Sequence, residues 1–582
     1  NHVPQGTIPT IVWNNKEISE RTRTRETQLQ NLTMATTFLP LLALILPLAN
    51  VQSFLQPHVR LTAPITAASS PLFRKSSLSD TSTSTVTDDT TIIVPTKDND
   101  NDNDDKDVPY SGPQLGAWMP LGSASSLTGL NPVQIKVCGL DIAVWHKPLS
   151  PKDAKKKDAV ATEWSALIDA CPHRLAPLSQ GRVDPETGCI ECPYHGWAFD
   201  TDGSLKALPQ LEEGRSIDDA TGKAGAATSL PVHAAGDLLF VFLPTDVTGE
   251  SWPITLLPED HYPYLKERMD TGTTYFSRDL PYSVDFLLEN FIDPAHIPFA
   301  HHSLQGTRDD GSPIEKKLLA SNFTHVECSF VDVCRGKQRD GVLSFQRPAL
   351  FHFRTRANET AEYRPNLLIF CAPVEDGNCR IFMPDFRMKF VPRWLGHLGS
   401  NRFLNSDTWL HDAERTARTK GDSINKRKGS VAVGAARAGR KPTEGLNYVF
   451  ATQSDLGPSV FRKWWSKYGF ADAPPNTFGP ADPASLLSRP ALNRAAQIDP
   501  WENHAKNCAT CRLALKRMRI LQKISVAGSA IGAILLRKRP PIAISLVLVG
   551  LFAHDFLRKF ATAIEGNSHR AEIDGRSVAA IK

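Results

Sequence analysis

Apolar positions along the chain fall into patterns of three kinds. Residues 133–145 (VQIKVCGLDIAVW) alternate apolar and polar positions and are rich in β-branched side chains. That pattern predicts two strands joined at Gly139. Residues 238–243 (LLFVFL) form an unbroken apolar run of strand length, as expected of a strand buried on both faces. Longer apolar blocks lie at residues 38–49, 524–536 and 540–553, the last two separated by Arg537-Lys538-Arg539. Between these regimes lie polar stretches. Residues 98–105 (DNDNDNDD) cannot bury a core, and residues 151–157 (PKDAKKK) read as an exposed loop tip, the alternative being a docking patch for an acidic surface.

The 582 residues are too many for one core. The pattern predicts an α+β chain: a small antiparallel β domain over 112–248, an α+β domain over 249–515, a hydrophobic helical hairpin over 516–560 and a tail over 561–582. Each C-terminal apolar block is short of the roughly twenty residues a membrane span needs. A two-span hairpin, an interfacial hairpin and a buried helix pair therefore stay open. The block at 38–49 has the length of a signal-peptide core. It follows the first methionine, Met34, and precedes a Ser/Thr-rich basic stretch with no acidic residue before Asp80. Residues 34–79 thus resemble a signal plus plastid transit peptide, with simple secretion as the alternative. Residues 1–33 read as an upstream extension and 80–111 as a disordered acidic linker.

The net charge of +4, with no basic stripe interleaved with aromatics, excludes a nucleic-acid binder. Ten cysteines in so long a chain are not a disulfide framework. Two of them carry chemistry. Cys171-x-His173 and Cys192-x-x-His195 give two thiolates and two imidazoles, the ligand pattern of a Rieske [2Fe–2S] cluster. Structural zinc is the rival reading, but a zinc finger pairs Cys with Cys and His with His, whereas each half here mixes the two. Such a cluster passes one electron at a time, so a destination is needed.

That destination is predicted at Asp293-x-x-His296-x-x-x-x-His301. Two histidines and a carboxylate on one face of a mononuclear Fe(II) leave positions open for O₂ and substrate. Alone, His296 and His301 read equally well as hydrogen-bonded core residues; beside an electron-transfer cluster they read as iron ligands. Helical spacing puts Asp293 and His296 on one face, and Pro298 is expected to bend the chain before His301. His302 is the neighbour that competes with His301.

Several segments resemble the pheophorbide a oxygenase-like plastid Rieske oxygenases. They are residues 171–182 (CPHRLAPLSQGR), 193–197 (PYHGW), 293–296 (DPAH), 391–394 (VPRW), 405–407 (NSD), 461–465 (FRKWW) and 501–504 (WENH), with Cys508-Ala-Thr-Cys511. One departure is a cluster-loop segment at Gly188 and Cys189 that is one residue longer. The resemblance implies an enzyme that opens the pheophorbide a macrocycle with O₂, taking electrons from ferredoxin. Hydroxylation of another tetrapyrrole (protochlorophyllide, chlorophyllide or a phyllobilin) is the alternative within that chemistry. A redox-sensing component of the plastid protein-import machinery is the alternative outside it. The resemblance also implies that Asp293 bridges the two metal centres between subunits of a homotrimer. Asp407 then replaces Asp293 as the iron-binding carboxylate, with Asp412 and Glu414 as rivals. It favours a membrane hairpin, in the thylakoid or inner envelope. Cys508 and Cys511 are expected to form a thioredoxin-reducible switch. Zinc is not expected there, because no second ligand pair lies nearby in sequence.

Overall fold

The computed structural model describes residues 116–127, 132–146, 164–244, 257–358, 360–385, 391–427, 448–468 and 490–566. All belong to one compact unit, Asp100–Lys582. The expected upstream extension, presequence and linker, the basic loop at 151–157 and most of the tail lie outside the described residues.

The predicted pair at 133–145 forms β2 (Val133–Val137) and β3 (Leu140–His146), paired antiparallel. Cys138 and Gly139 both take positive φ, 50° and 77°, which matches the right-handed twist of a two-residue hairpin. Their amides donate to Pro373 O and Val374 O at 2.8 Å, so the hairpin tip docks on the second sheet described below. The apolar run becomes β11 (Leu238–Pro244), flanked by β1 (Gly116–Ser123) and β10 (Val232–Ala235). β2 and β3 continue through β4 (Trp164–Ile168) to β9 (Ser229–Leu230). Four short strands, β5 (Arg182–Val183), β6 (Ile190–Glu191), β7 (Ala198–Phe199) and β8 (Leu205–Ala207), form a separate small sheet. Trp145, Leu178, Ile190 and Phe199 are packed with Cys171 and Cys192 into a small core of their own.

The second half is built on a seven-stranded antiparallel sheet, in order β12-β18-β17-β16-β15-β14-β13. Its strands run from β12 (Tyr275–Leu280) through β13 (Glu315–Ser321), β14 (His325–Cys334), β15 (Lys337–Gln346), β16 (Leu350–Arg356) and β17 (Arg364–Glu375) to β18 (Asn378–Pro384). One hydrophobic core joins Phe240 and Val241 of β11 to Leu350, Phe370 and Phe382 of this sheet. The boundary expected near 248 is therefore not a gap between two cores. Helix α1 (Val284–Ile292) and helix α4 (Leu456–Tyr468) share a second core with Phe345 and Phe351. Between them lie α2 (Arg393–Leu404) and α3 (Leu410–Arg427).

A buried charge network ties α1, α3 and α4 together. Asp285 accepts from Arg418 Nη2 at 2.7 and 2.9 Å and from Arg462 Nη1 at 2.5 Å. Glu414 accepts from Arg418 Nε and from the Ser283 amide, both at 2.9 Å. Charges this deeply buried are tolerated only as a satisfied set.

The C-terminal apolar blocks become α5 (Ala509–Leu535, 27 residues) and α6 (Pro540–Glu565, 26 residues), which pack on each other. Both are longer than their apolar blocks, because each helix runs on through polar residues at the end away from the turn. At 1.5 Å per residue either is long enough for the roughly 30 Å of a bilayer core. Gly550 permits the close approach: a Cβ there would stand 1.5 Å from Ser529 Oγ.

Asp285→Ala would leave two guanidinium groups buried without their shared carboxylate. The expected loss is about 3–5 kcal/mol in denaturant unfolding. A loss below about 1 kcal/mol, the surface-pair range, would show that the network does not hold the three helices.

Candidate metal centres

The two cluster loops are built alike. Cys171 and Cys192 are buried, and each carbonyl accepts from the amide four residues on, Leu175 N at 2.8 Å and Gly196 N at 3.1 Å. Leu175 and Gly196 both turn through positive φ, 56° and 73°. Beyond the sulfurs, His173 and His195 face each other at 4.6 Å between ring centroids, and Trp197 stacks on His173 with planes 9° apart. The arrangement has two ends, thiols inside and imidazoles toward solvent. Burial, ahead of the Cys192 neighbour, pushes the Cys171 thiol up to about 11, so a cation must supply the attraction that deprotonates it. Gly188, in the longer segment, turns through φ 73°, and its carbonyl accepts from Trp145 Nε1 at 3.2 Å.

The second constellation begins where α1 ends. Pro294 disfavours helical backbone at the residue before it, and Asp293 is extended at φ −108°, ψ 92°. A 3₁₀ turn (Pro294–His296) and a short helix (Ile297–Ala300) follow. The break therefore falls at Asp293, not at Pro298; Pro298 sits in the first turn of the short helix, where its missing N–H costs nothing. The expected shared helical face of Asp293 and His296 is replaced by a local bond from His296 Nδ1 to the Asp293 carbonyl. The Asp293 carboxylate instead accepts from Ala295 N at 3.0 Å and pairs with Lys316 Nζ at 3.6 Å.

His296, His301 and Asp407 offer donor atoms that all lie within 4.8 Å of one another. Asp407 arrives on a 3₁₀ turn (Asn405–Asp407) directly after α2. Ser406 Oγ donates to Phe403 O at 2.5 Å, so it accepts from His301 Nδ1 at 2.7 Å. That leaves the His301 Nε2 lone pair facing Asp407 Oδ2 at 3.2 Å. His296 is set the same way by the Asp293 carbonyl, and desolvation lowers its pKa and keeps the ring neutral. Asp407 Oδ2 also accepts from Asn290 Nδ2 at 3.3 Å, whereas its buried Oδ1 has no hydrogen-bond partner. Two aimed lone pairs and an orphaned carboxylate oxygen are what a divalent cation would satisfy. The rival residues are engaged elsewhere. His302 Nδ1 accepts from Arg308 N, Asp412 is exposed, and Glu414 belongs to the charge network. Ser406, Asn290 and Phe403, whose ring stacks on His301 at 4.1 Å, had no signal in the sequence beyond proximity to the motif.

All ten cysteines are unpaired. Cys508 and Cys511 are buried and meet His397 and His504, so a second ligand pair does lie beside them. It was not visible as a pair because His397 comes from α2, far away in sequence. The segment His504-x-x-x-Cys508-x-x-Cys511 held the readable part of the signal.

Two family models match the chain: Rieske [2Fe-2S] domain over residues 117–228 and Pheophorbide a oxygenase over residues 345–423. The chain is a Rieske oxygenase. Among named relatives, flavonoid 8-hydroxylase 2 of Ocimum basilicum is 28% identical over 70% of this chain and 74% of its own. Pheophorbide a oxygenase of Oryza sativa subsp. japonica is 27% identical over 71% and 75%. Protochlorophyllide-dependent translocon component 52 of Arabidopsis thaliana is 28% identical over 70% and 74%. The second family match includes Asp407, which the site geometry brings to His296 and His301.

In this Rieske oxygenase, Asp407→Ala is expected to remove the mononuclear iron while the Rieske signal in electron paramagnetic resonance stays. Asp412→Ala should keep both. Ser406→Ala, which frees the His301 tautomer, should weaken iron retention by about 10–100-fold. Iron-to-protein ratios measure all three; iron kept in Asp407→Ala and lost in Asp412→Ala would reverse the choice of carboxylate.

Proposed function

We propose that this Rieske oxygenase works at a plastid membrane and uses O₂ to oxygenate a chlorophyll-derived tetrapyrrole, opening the macrocycle of pheophorbide a. Cys171 and Cys192 would hold one iron of the cluster, His173 and His195 the other, and His296, His301 and Asp407 the mononuclear iron. When bound, the cluster supplies single electrons and the mononuclear iron activates O₂. The observation that carries the reading is the triad itself. Two imidazoles with tautomers fixed by their outer hydrogen bonds and a carboxylate with an unpartnered buried oxygen serve an oxygen-activating iron, and a sensor has no use for them.

The intersubunit bridge is supported from both ends. Among the described residues, no hydrogen bond reaches the ring nitrogens of His173 or His195, which lie at the surface, and the Asp293 side chain is 29% exposed. Metal-bound histidines ordinarily donate their other N–H to a carboxylate or carbonyl. Asp293 of a neighbouring copy supplies that acceptor, which makes a trimer the working assembly and ferredoxin the donor at its surface. The membrane assignment rests on α5 and α6, whose outward faces carry Ile531, Leu535, Leu548 and Phe552. The plastid assignment follows the relatives, which are chloroplastic.

The test is turnover. Iron-replete protein with reduced ferredoxin, O₂ and pheophorbide a should bleach the macrocycle absorption and incorporate oxygen from ¹⁸O₂. The flavonoid hydroxylase and the protochlorophyllide-dependent relative are as similar as the pheophorbide enzyme, so a flavone and protochlorophyllide are run in parallel. Turnover of either with none on pheophorbide a would overturn the substrate and keep the chemistry.

A further inference from the structure

Beyond the two iron centres, a third set of ligands converges between the catalytic sheet and the root of the C-terminal helix pair. His397 from α2, His504 from the loop before α5, Cys508 at the α5 N-cap and Cys511 in its first turn are 1–5% exposed. Their donor atoms all lie within 4.8 Å of one another. We propose that these four residues bind one structural zinc ion that fastens the helix pair to the oxygenase.

The geometry is that of a tetrahedral site rather than of a hydrogen-bonded cluster. Zinc bonds of about 2.3 Å to sulfur and about 2.0–2.1 Å to nitrogen put donors about 3.4 Å apart for N···N and about 3.6 Å for N···S. His397 Nδ1 stands 3.2 Å from His504 Nε2, 3.6 Å from Cys508 Sγ and 3.4 Å from Cys511 Sγ. His504 Nε2 is 3.4 Å from Cys511 Sγ. One ring nitrogen thus meets three partners, and a proton on it could serve only one of them.

Each imidazole is also held by its far nitrogen. His397 Nε2 donates to Asp385 Oδ1 at 3.0 Å, and His504 Nδ1 donates to Ser277 O at 2.6 Å. His397 Nδ1 and His504 Nε2 are therefore turned toward each other at 3.2 Å, a gap that either one shared proton or a cation would fill. A carboxylate behind one metal-bound imidazole and a carbonyl behind the other is the usual outer support of such a site. Asp385 is itself fixed by Arg393 Nε at 2.5 Å and Thr274 Oγ1 at 2.6 Å.

Charge and access choose the ion and its role. Two thiolates neutralise a divalent cation, so the buried centre carries no net charge once both thiol protons have left. All four ligands come from the protein, which leaves no open position; that is the pattern of structural zinc. The site is also a junction. Ser126 Oγ, from the segment after β1, lies 3.9 Å from Cys508 Sγ, and Phe276 of β12 packs on both imidazoles, with ring centroids at 5.2 and 4.5 Å.

Full-length protein purified anaerobically in detergent should contain one zinc per chain beside its iron, measured by elemental analysis. Cys508→Ser/Cys511→Ser and His397→Ala should lose the zinc and keep the Rieske resonance. Asp385→Asn should weaken zinc retention by about 10–100-fold. Cobalt exchanged into the unmutated protein should give the intense visible bands and thiolate charge transfer of a tetrahedral site, a readout that needs no variant to fold. Amide exchange across residues 504–512 should accelerate when zinc is chelated. Iron-replete protein without zinc, iron in zinc's place, or a Cys508–Cys511 disulfide reducible by thioredoxin in the anaerobic preparation would overturn the site. Unchanged exchange after chelation would overturn the fastening role.

Discussion

A buried imidazole offers a metal its lone pair only when some other group takes the proton on its second nitrogen, and this requirement organises the whole molecule. Four histidines meet it in four ways. His296 leans on the carbonyl of Asp293, His301 on the hydroxyl of Ser406, His397 on the carboxylate of Asp385 and His504 on the carbonyl of Ser277. In each case the outer acceptor decides which nitrogen faces inward. The acceptors belong to different structural layers: a helix end, a helix-to-turn junction, strand β12 and the residue that follows β18. Hydrophobic packing of these layers is what brings each acceptor within reach of its ring.

What the sequence disclosed follows from how far apart the partners lie. Cys171, His173, Cys192 and His195 lie on two short loops whose turns are local, so the motif alone was enough to bring them together as candidates. The hairpin at Gly139 was legible for the same reason, since alternation and a turn residue suffice. The break in α1 was legible only in part. Two prolines compete there, and Pro294 acts because the residue before a proline loses helical backbone, while Pro298 falls in a first turn that tolerates it. Asp407 needed a family resemblance, because its partner His301 lies on a different element and no spacing rule connects them. His397 and His504 were beyond reach as ligands. Their convergence with Cys508 and Cys511 depends on β12, β18 and α2 all being in place.

The helix pair shows a different limit. Counting apolar residues ended each segment at the first charges, but the helices continue. Lys516, Arg517, Arg519 and Lys523 lie inside α5, where straight-chain cations are good helix formers and their stems cover apolar surface. Arg519 pairs with Glu565 at the opposite end of α6, so the polar extensions of the two helices lie side by side. Hydropathy therefore locates the apolar part of the pair, and the charged extension is what joins it to the folded domain.

That junction matters for catalysis because α2 serves both ends. Near its start, Arg393 and His397 hold Asp385, and Trp394 packs edge-on against Phe560 of α6 at 5.4 Å between centroids. At its other end, Arg278 donates to Asn401 O at 2.7 Å and Asn405 Oδ1 at 2.6 Å, and the next turn delivers Ser406 and Asp407. Asp407 therefore inherits its position from a helix fixed at one end by the sheet and at the other by the root of the helix pair. Reacting groups displaced by about 1 Å can lose about 10²-fold in rate. Movement of the helix pair would reach α2 through Trp394 and His397. The proposed four-coordinate zinc at His397 would hold the start of α2 and so shield the carboxylate from that movement.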